Sequence, residues 1–383
     1  MQVIAGPRQV GKTTIVRQLM EEIAKNGTSP AYFYSAEEAI TVGSDWLDTI
    51  WDNARTEIRL KKAKEGLLVI DEIQKINAWS ECVKKNWDAD TAAKFPLKLI
   101  ILGSSRLLLQ QGLSESLLGR FELLFMGHWS LPEMKAAFNF TPEQYVWFGG
   151  YPGAAALVSE EDRFKNYVVN SIIEPSLNRD IFMLEQINKP ALLRQLFDLA
   201  VSYSAQILSY NKMLGQLADA GNTTTLARYT TLLDQAGLVA GLNQYSAKPL
   251  RVKLSSPKFL VHNTALFSAV QSETFEDGFI DSAKWGRHVE SAVGAYLINQ
   301  VNANPGAALY YWREKNTEVD FVLKWGKDLL ALEVKSVPGK MNPENLVLFK
   351  KHFPAGKTLL VGESGLSYRE FLTLPLGQIF KAL

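Results

Sequence analysis

Near the start of the chain, Gly6-Pro7-Arg8-Gln9-Val10-Gly11-Lys12-Thr13 fills every fixed position of the pattern G-x-x-x-x-G-K-[ST]. Gly6 and Gly11 let backbone N–H groups converge on phosphate oxygens, and Lys12 can bridge the outer phosphates as a point charge. Gly6 through Thr14 is therefore the candidate nucleotide-binding segment, with the Thr13 hydroxyl a candidate Mg²⁺ ligand. Further on, Leu67-Leu68-Val69-Ile70 runs into two adjacent acids, Asp71 and Glu72. In that position Asp71 would hold the Mg²⁺ water shell and Glu72 would polarise the attacking water. A third apolar run, Leu97 to Leu102, leads to Gly103-Ser104-Ser105-Arg106, where Ser104 or Ser105 is placed to sense a γ-phosphate. Small polar residues after a strand also make ordinary turns, so this signal depends on the other two.

These groups need specific supports. The apolar runs are fully hydrophobic, as expected for strands of a parallel sheet covered on both faces. Val3-Ile4-Ala5 suits a short buried strand, and Thr13 to Met20 carries apolar residues at helical spacing. The loop thus joins a strand to a helix N-terminus, whose dipole favours bound anions. The expected fold class is α/β, a P-loop NTPase parallel sheet over 1–128.

The stretches GPRQVGKTT (6–14), LLVIDEIQKI (67–76), ILGSSRLLL (101–109), SLLGRFE (116–122), GGYP (149–152), SPKFLVHNTAL (256–266), EVDFVL (318–323) and LEVKS (332–336) run through the chain in order. In that order they resemble the prokaryotic AAA-type P-loop ATPases that carry a C-terminal domain of unknown function. The resemblance implies ATP as ligand, Mg²⁺ as cofactor and Arg120 as a guanidinium reaching a γ-phosphate, in cis or from a neighbouring subunit of a homo-oligomer. Arg106 competes for that role, and a surface arginine capping a helix is the plain alternative. The resemblance also implies a segment ahead of the first strand, which Val3 already occupies here.

After Trp129-Ser130-Leu131-Pro132-Glu133, which has the order of a helix start, the pattern is helical to about residue 188. We read 129–188 as a helical lid on the ATPase. Residues 189–259 then read as helix, helix, helix and a two-stranded hairpin, a winged helix. Its third helix shares one face among Leu226, Tyr229, Leu232 and Leu233. Its polar face holds only Arg228 against Asp234, which is thin for DNA. The hairpin, Leu238–Leu242 with Leu250–Leu254, carries Lys248, Arg251, Lys253 and Lys258, enough for a few phosphate contacts. DNA contact and protein docking are both open at this point.

Residues 260–383 bring a second constellation. Strand alternation puts Glu318 with Asp320 on one face, and Glu333 with Lys335 on one face of the next strand. With Glu290 on a preceding helix, the ordered set is similar to the core of the PD-(D/E)xK nuclease-like fold, a small α/β restriction-endonuclease-like domain. That resemblance implies Mg²⁺ at Asp320 and Glu333, completed by Glu290, with Lys335 orienting water. An exposed hairpin with mixed charges is the plain alternative.

Composition limits the remaining classes. With 41 Lys+Arg against 40 Asp+Glu the formal net charge is +1, so nucleic-acid binding would need a local patch. The single cysteine, Cys82, allows no internal disulfide and no cysteine-based zinc cluster. No apolar run approaches the ~18 residues of a membrane span, and the first residues lack a basic leader, so a cytoplasmic protein without membrane contact is expected. The reading is a Mg²⁺-dependent ATP-binding protein, an ATPase whose nucleotide state controls a winged-helix and nuclease-like module. Its alternatives are an ATP-regulated nuclease and a nucleotide-controlled interaction protein with an inactive nuclease-like domain. No base-reading motif separates ATP from GTP.

Overall fold

A computed structural model describes residues 1–27, 29–39, 43–103, 117–184, 186–219, 221–246, 255–335 and 344–382. Ser104, Ser105 and Arg106 lie outside the described residues, as do Lys248, Arg251 and Lys253. The chain divides into two compact units, Met1–Met126 and Gly127–Leu383.

The first unit contains β1 (Gln2–Ala5), α1 (Lys12–Lys25), β2 (Ala31–Ser35), α2 (Asp45–Leu60), β3 (Gly66–Asp71), α3 (Trp79–Ala92), β4 (Leu97–Gly103) and β5 (Glu122–Phe125). The strands form one sheet in the order β2-β3-β4-β1-β5, every pair parallel. Alternate side chains serve opposite faces. Leu68, Ile70, Leu99, Ile101 and Val3 pack with Leu47, Ile50, Trp51 and Val83 of α2 and α3. Leu67, Val69, Ile100 and Leu102 pack with Val16, Met20 and Ile23 of α1. Helices on both faces explain why β3 and β4 are uninterrupted apolar runs, and these two strands and β1 fall where the sequence put them. The edge strands β2 and β5 were not legible: β5 is largely exposed and β2 only half-buried, so neither carries a continuous apolar signature.

The second unit begins with α4 (Leu131–Phe138), α5 (Pro142–Phe148) and α6 (Glu161–Val168). Capping boxes at Ser130/Glu133 and Thr141/Gln144 set where α4 and α5 begin, each with proline in its first turn. The segment 129–188 is the one expected as a helical lid. Its helices bury their faces against later helices of their own unit, α5 and α6 packing on α10 (Thr264–Ala269) and α5 also on α11 (Ser282–Ala303). Trp147 of α5 stacks on His288 of α11 at 4.3 Å, so the segment is core of the second unit.

Between them lie α7 (Pro190–Ser202), β6 (Gln206–Ile207), α8 (Tyr210–Leu214), α9 (Thr223–Gln235), β7 (Val239–Leu242) and β8 (Lys258–Val261). The three strands are antiparallel in the order β6-β8-β7. Asn222 caps α9, and Leu226, Tyr229, Leu232 and Leu233 are all buried, as their spacing predicts. The described partner of β7 is β8, while Leu250–Leu254 lies outside the described residues. Lys258 corrects an expectation. It is not a surface cation of the hairpin, since its side chain is 0% exposed.

The remainder is α11, three antiparallel strands β9 (Ala307–Glu314), β10 (Thr317–Trp325) and β11 (Asp328–Lys335), then α12 (Glu344–His352) and β12 (Lys357–Gly362), which is parallel to β11. The sheet order is β12-β11-β10-β9. A β-bulge interrupts β10 between Val319 and Val322. Opposite it, Tyr311 exchanges backbone hydrogen bonds with the Asn243–Tyr245 segment, its N–H donating to Asn243 at 3.2 Å.

Candidate functional site

The phosphate loop leaves β1 at Ala5 and turns sharply. A Cβ on Gly6 would lie 1.9 Å from the Met126 carbonyl oxygen, because Met126 continues the β5 ladder with a hydrogen bond to Ala5. Gln9 at φ 60° and Gly11 at φ 92° curl the loop so that α1 starts at Lys12. The Lys12 side chain is folded inward, its ammonium donating to the carbonyls of Gly6 at 3.0 Å and Pro7 at 2.6 Å. Pro7, Arg8 and Val10 complete the turn, and Thr14 follows in the first turn of α1.

Across the sheet, Thr13 and Asp71 meet. The Thr13 hydroxyl donates to Asp71 Oδ2 at 2.8 Å, and the Glu72 N–H donates to Asp71 Oδ1 at 2.9 Å. These are hard oxygen donors at the ends of adjacent elements, a set that fits Mg²⁺. Among the described residues no group of three or more His, Cys, Asp or Glu is arranged to hold a metal ion alone. A Mg²⁺ held by one hydroxyl, one carboxylate and substrate phosphates requires no such group. In the sheet β4 lies between β1 and β3 and ends at Gly103.

Glu72 has φ 54°, an uncommon conformation for a residue other than glycine. Its Oε2 accepts from Gln74 at 2.7 Å and lies 3.8 Å from the Lys75 ammonium. Burial pushes its pKa above the ordinary carboxylate value, Asp71 adds to the rise, and Lys75, Arg8 and Lys12 oppose it. A desolvated carboxyl beside the metal-binding acid is suited to taking a proton from water.

Arg120 forms a two-pronged ion pair with Asp88 of α3, Nε to Oδ1 at 2.7 Å and Nη2 to Oδ2 at 2.9 Å. Only a movement away from Asp88 would bring it to a phosphate.

In the second unit the Glu290, Asp320, Glu333 and Lys335 set does converge, around a residue that the sequence reading placed elsewhere. The Lys258 ammonium lies 2.7 Å from Glu290, 3.1 Å from Glu318 and 3.4 Å from Asp320. Asp320 also accepts from the Val334 N–H at 2.8 Å. Glu333 pairs with Lys335 at 2.8 Å and accepts from Asn345 of α12 at 3.1 Å, while its Oε2 is buried with no hydrogen-bond partner. Burial and then the Asp320 charge raise both Glu290 and Glu333, more than Lys258 and Lys335 lower them. Burial lowers the Lys258 pKa, but the surrounding carboxylates outweigh it and the amine stays charged.

Two stretches quoted for the resemblance prove to be partners in packing. The Asn263 side-chain oxygen accepts from the N–H groups of Gly150 at 3.2 Å and Ala265 at 3.1 Å, and a Cβ on Gly149 would lie 1.8 Å from it. His262 pairs with Asp234 of α9 at 2.7 Å. Thus Lys258, His262 and Asn263 tie β8 and the turn after it to three different parts of the unit. A polar residue inside an apolar strand run, as Lys258 is in Lys258-Phe259-Leu260-Val261, was the available signal.

Residues 1–135 match the family model described as AAA domain. Residues 140–277 and 285–377 match two models described as domains of unknown function, DUF8612 and DUF4143. No curated protein matches. Similar solved structures include the Aeropyrum pernix ORC1 protein in complex with DNA, at 14% identity over 72% of this chain and 87% of that chain, TM-score 0.32. A variant of Thermotoga maritima RuvB has 17% identity over 62% and 80%, TM-score 0.33. AMPPCP-bound DnaA from Aquifex aeolicus has 15% identity over 61% and 81%, TM-score 0.33. The phosphate loop, the strand order and the AAA-domain match together make the first unit a P-loop NTPase fold of AAA type. No helix among the described residues is long and apolar enough to cross a membrane.

Proposed function

We propose that the chain is a Mg²⁺-dependent ATPase whose nucleotide state governs the behaviour of its second unit. The single observation that carries this reading is the 2.8 Å contact between Thr13 and Asp71, with half-buried Glu72 beside it. Mg²⁺ at Thr13 and Asp71 would offset charge on the phosphate oxygens. Lys12 exchanges the loop carbonyls for phosphate oxygens, and the backbone of Gly6 to Thr14 holds the rest of the phosphate chain. Glu72 accepts the proton of the attacking water, Ser104 contacts the γ-phosphate, and Arg120 leaves Asp88 to meet the developing charge.

Titration of ATP into the wild-type protein and Lys12→Ala tests the claim. The variant is expected to lose binding at least about tenfold, since one charge-assisted contact contributes ~1.5–3 kcal/mol. Unchanged binding would sink the nucleotide assignment. GTP in competition resolves which base is preferred.

For the second unit we read a winged helix in 189–259 and a nuclease-like α/β domain in 260–383. The helix-strand order of α7 to β8 and the αβββαβ order of α11 to β12 support these readings. Between an active nuclease and a nucleotide-controlled interaction module, the burial of Lys258 among the carboxylates favours the latter. It also removes one cation from the proposed DNA contact. A partner whose capture differs between ATP, ADP and nucleotide-free protein is expected, and equal capture in all three states refutes control by nucleotide.

A further inference from the structure

The carboxylates at Glu290, Glu318, Asp320 and Glu333 belong to α11, β10 and β11, and an ordered set of this kind ordinarily gathers around a divalent cation. Here a cation already stands among three of them. The Lys258 ammonium is 0% exposed and within 3.4 Å of Glu290, Glu318 and Asp320. Its remaining surroundings are the Asp320 carbonyl at 3.4 Å and the Phe321 ring at 5.2 Å. The three donors of an ammonium are matched by these acceptors, and a buried charge persists only when it is paired in this way.

The lysine is also anchored at its backbone. Lys258 is paired with Ile207 of β6 on one side and with Leu242 of β7 on the other. With β8 in the middle of the three strands, the backbone of Lys258 is held on both sides. A Mg²⁺ ion needs near-octahedral oxygens at ~2.0–2.1 Å, and it cannot take the space of an ammonium or lie against it without strong repulsion. The residues present therefore do not fit a nuclease-type metal.

We infer that Lys258 is a built-in cation: its ammonium engages Glu290 and Asp320, two of the three carboxylates a divalent metal would need, so the carboxylate centre fastens β8 to α11 and β10 and does not cleave phosphodiesters. This centre then holds the fold together, and Lys258 is a structural residue rather than a catalytic one. Glu333 and Lys335 form the outer part of the same centre, the Lys335 ammonium pairing with Glu333 at 2.8 Å.

The test uses the full chain, free of nucleotide, in an Asp71→Asn background that silences the metal position of the first unit. Mn²⁺ binding is followed by electron paramagnetic resonance, and thermal unfolding is recorded with and without Mn²⁺. With Lys258 intact, neither measurement should respond to Mn²⁺. Lys258→Ala should tighten Mn²⁺ binding about tenfold or more by removing the repelling charge, raise the unfolding temperature when Mn²⁺ is added, and lose both responses when Asp320→Asn is combined with it. Should Lys258→Ala fail to fold, Lys258→Met is compared with Lys258→Met/Glu290→Gln, which should recover part of the stability because one of the three stranded carboxylates is gone. Mn²⁺ binding by the Lys258-intact protein that Asp320→Asn abolishes overturns the inference. So does indifference of a folded Lys258→Ala to Mn²⁺, or a Glu290→Gln partner change that restores nothing.

Discussion

Glu72→Gln isolates the assignment of the base. The substitution keeps the shape of the side chain and the acceptor oxygen for Gln74, which now donates at 2.7 Å, so the turn after β3 is preserved. It removes a carboxyl whose burial already disfavours its charged form, so the fold loses little. Lys12, Thr13 and the loop amides are untouched, and ATP should bind within about twofold of wild type, less than ~0.5 kcal/mol. Turnover should fall by about 10²–10⁴, the usual contribution of a positioned base, which is ~3–5 kcal/mol of barrier. Equilibrium titration measures the binding and phosphate release under saturating ATP the turnover. Because the Glu72 pKa is raised above its ordinary 4.5, the wild-type rate should climb as pH rises through a midpoint above that value, whereas the variant should show no such limb. A variant that turns over at the wild-type rate, or one that loses binding in parallel with rate, refutes the role of Glu72.

Arg120 and Asp88 are 32% and 44% exposed, so water screens their ion pair and Arg120 is free to exchange partners at little cost. Asp88→Ala should leave the protein folded and the rate of phosphate release undiminished, while Arg120→Ala should lower that rate ~10³-fold. Equal rates for the two variants would remove Arg120 from the mechanism. His288 lies stacked between Trp147 and Phe267, and burial depresses its pKa from 6.5 to about 4. The unfolded chain binds the proton that the folded ring refuses, so stability is lost as pH falls from 6.5 through 4. That loss reaches about 2 kcal/mol at pH 5, and His288→Phe should abolish it in urea unfolding of the full chain.

The nucleotide site is legible in the sequence because its parts are local. Gly6 to Thr14 sit within two turns of chain, and Asp71 and Glu72 end an apolar strand whose two-sided burial is written in its composition. Their meeting across the sheet still required the order β3-β4-β1, which places Thr13 and Asp71 in hydrogen-bond contact. The edge strands β2 and β5 escaped notice because half-buried strands lack an apolar run. In the second unit, alternation correctly put Glu318 with Asp320 and Glu333 with Lys335. What it could not supply is Lys258, whose partners lie 32 to 62 residues away on α11 and β10. A lysine near other cations reads as a surface charge until the fold turns it inward, and there only paired carboxylates can hold it. The sequence by itself determined which groups could bind phosphate and which acids could gather. Tertiary structure decided which cation the acids gather around, because an ion pair is selected by distance and desolvation in the folded state and leaves no periodicity in the chain.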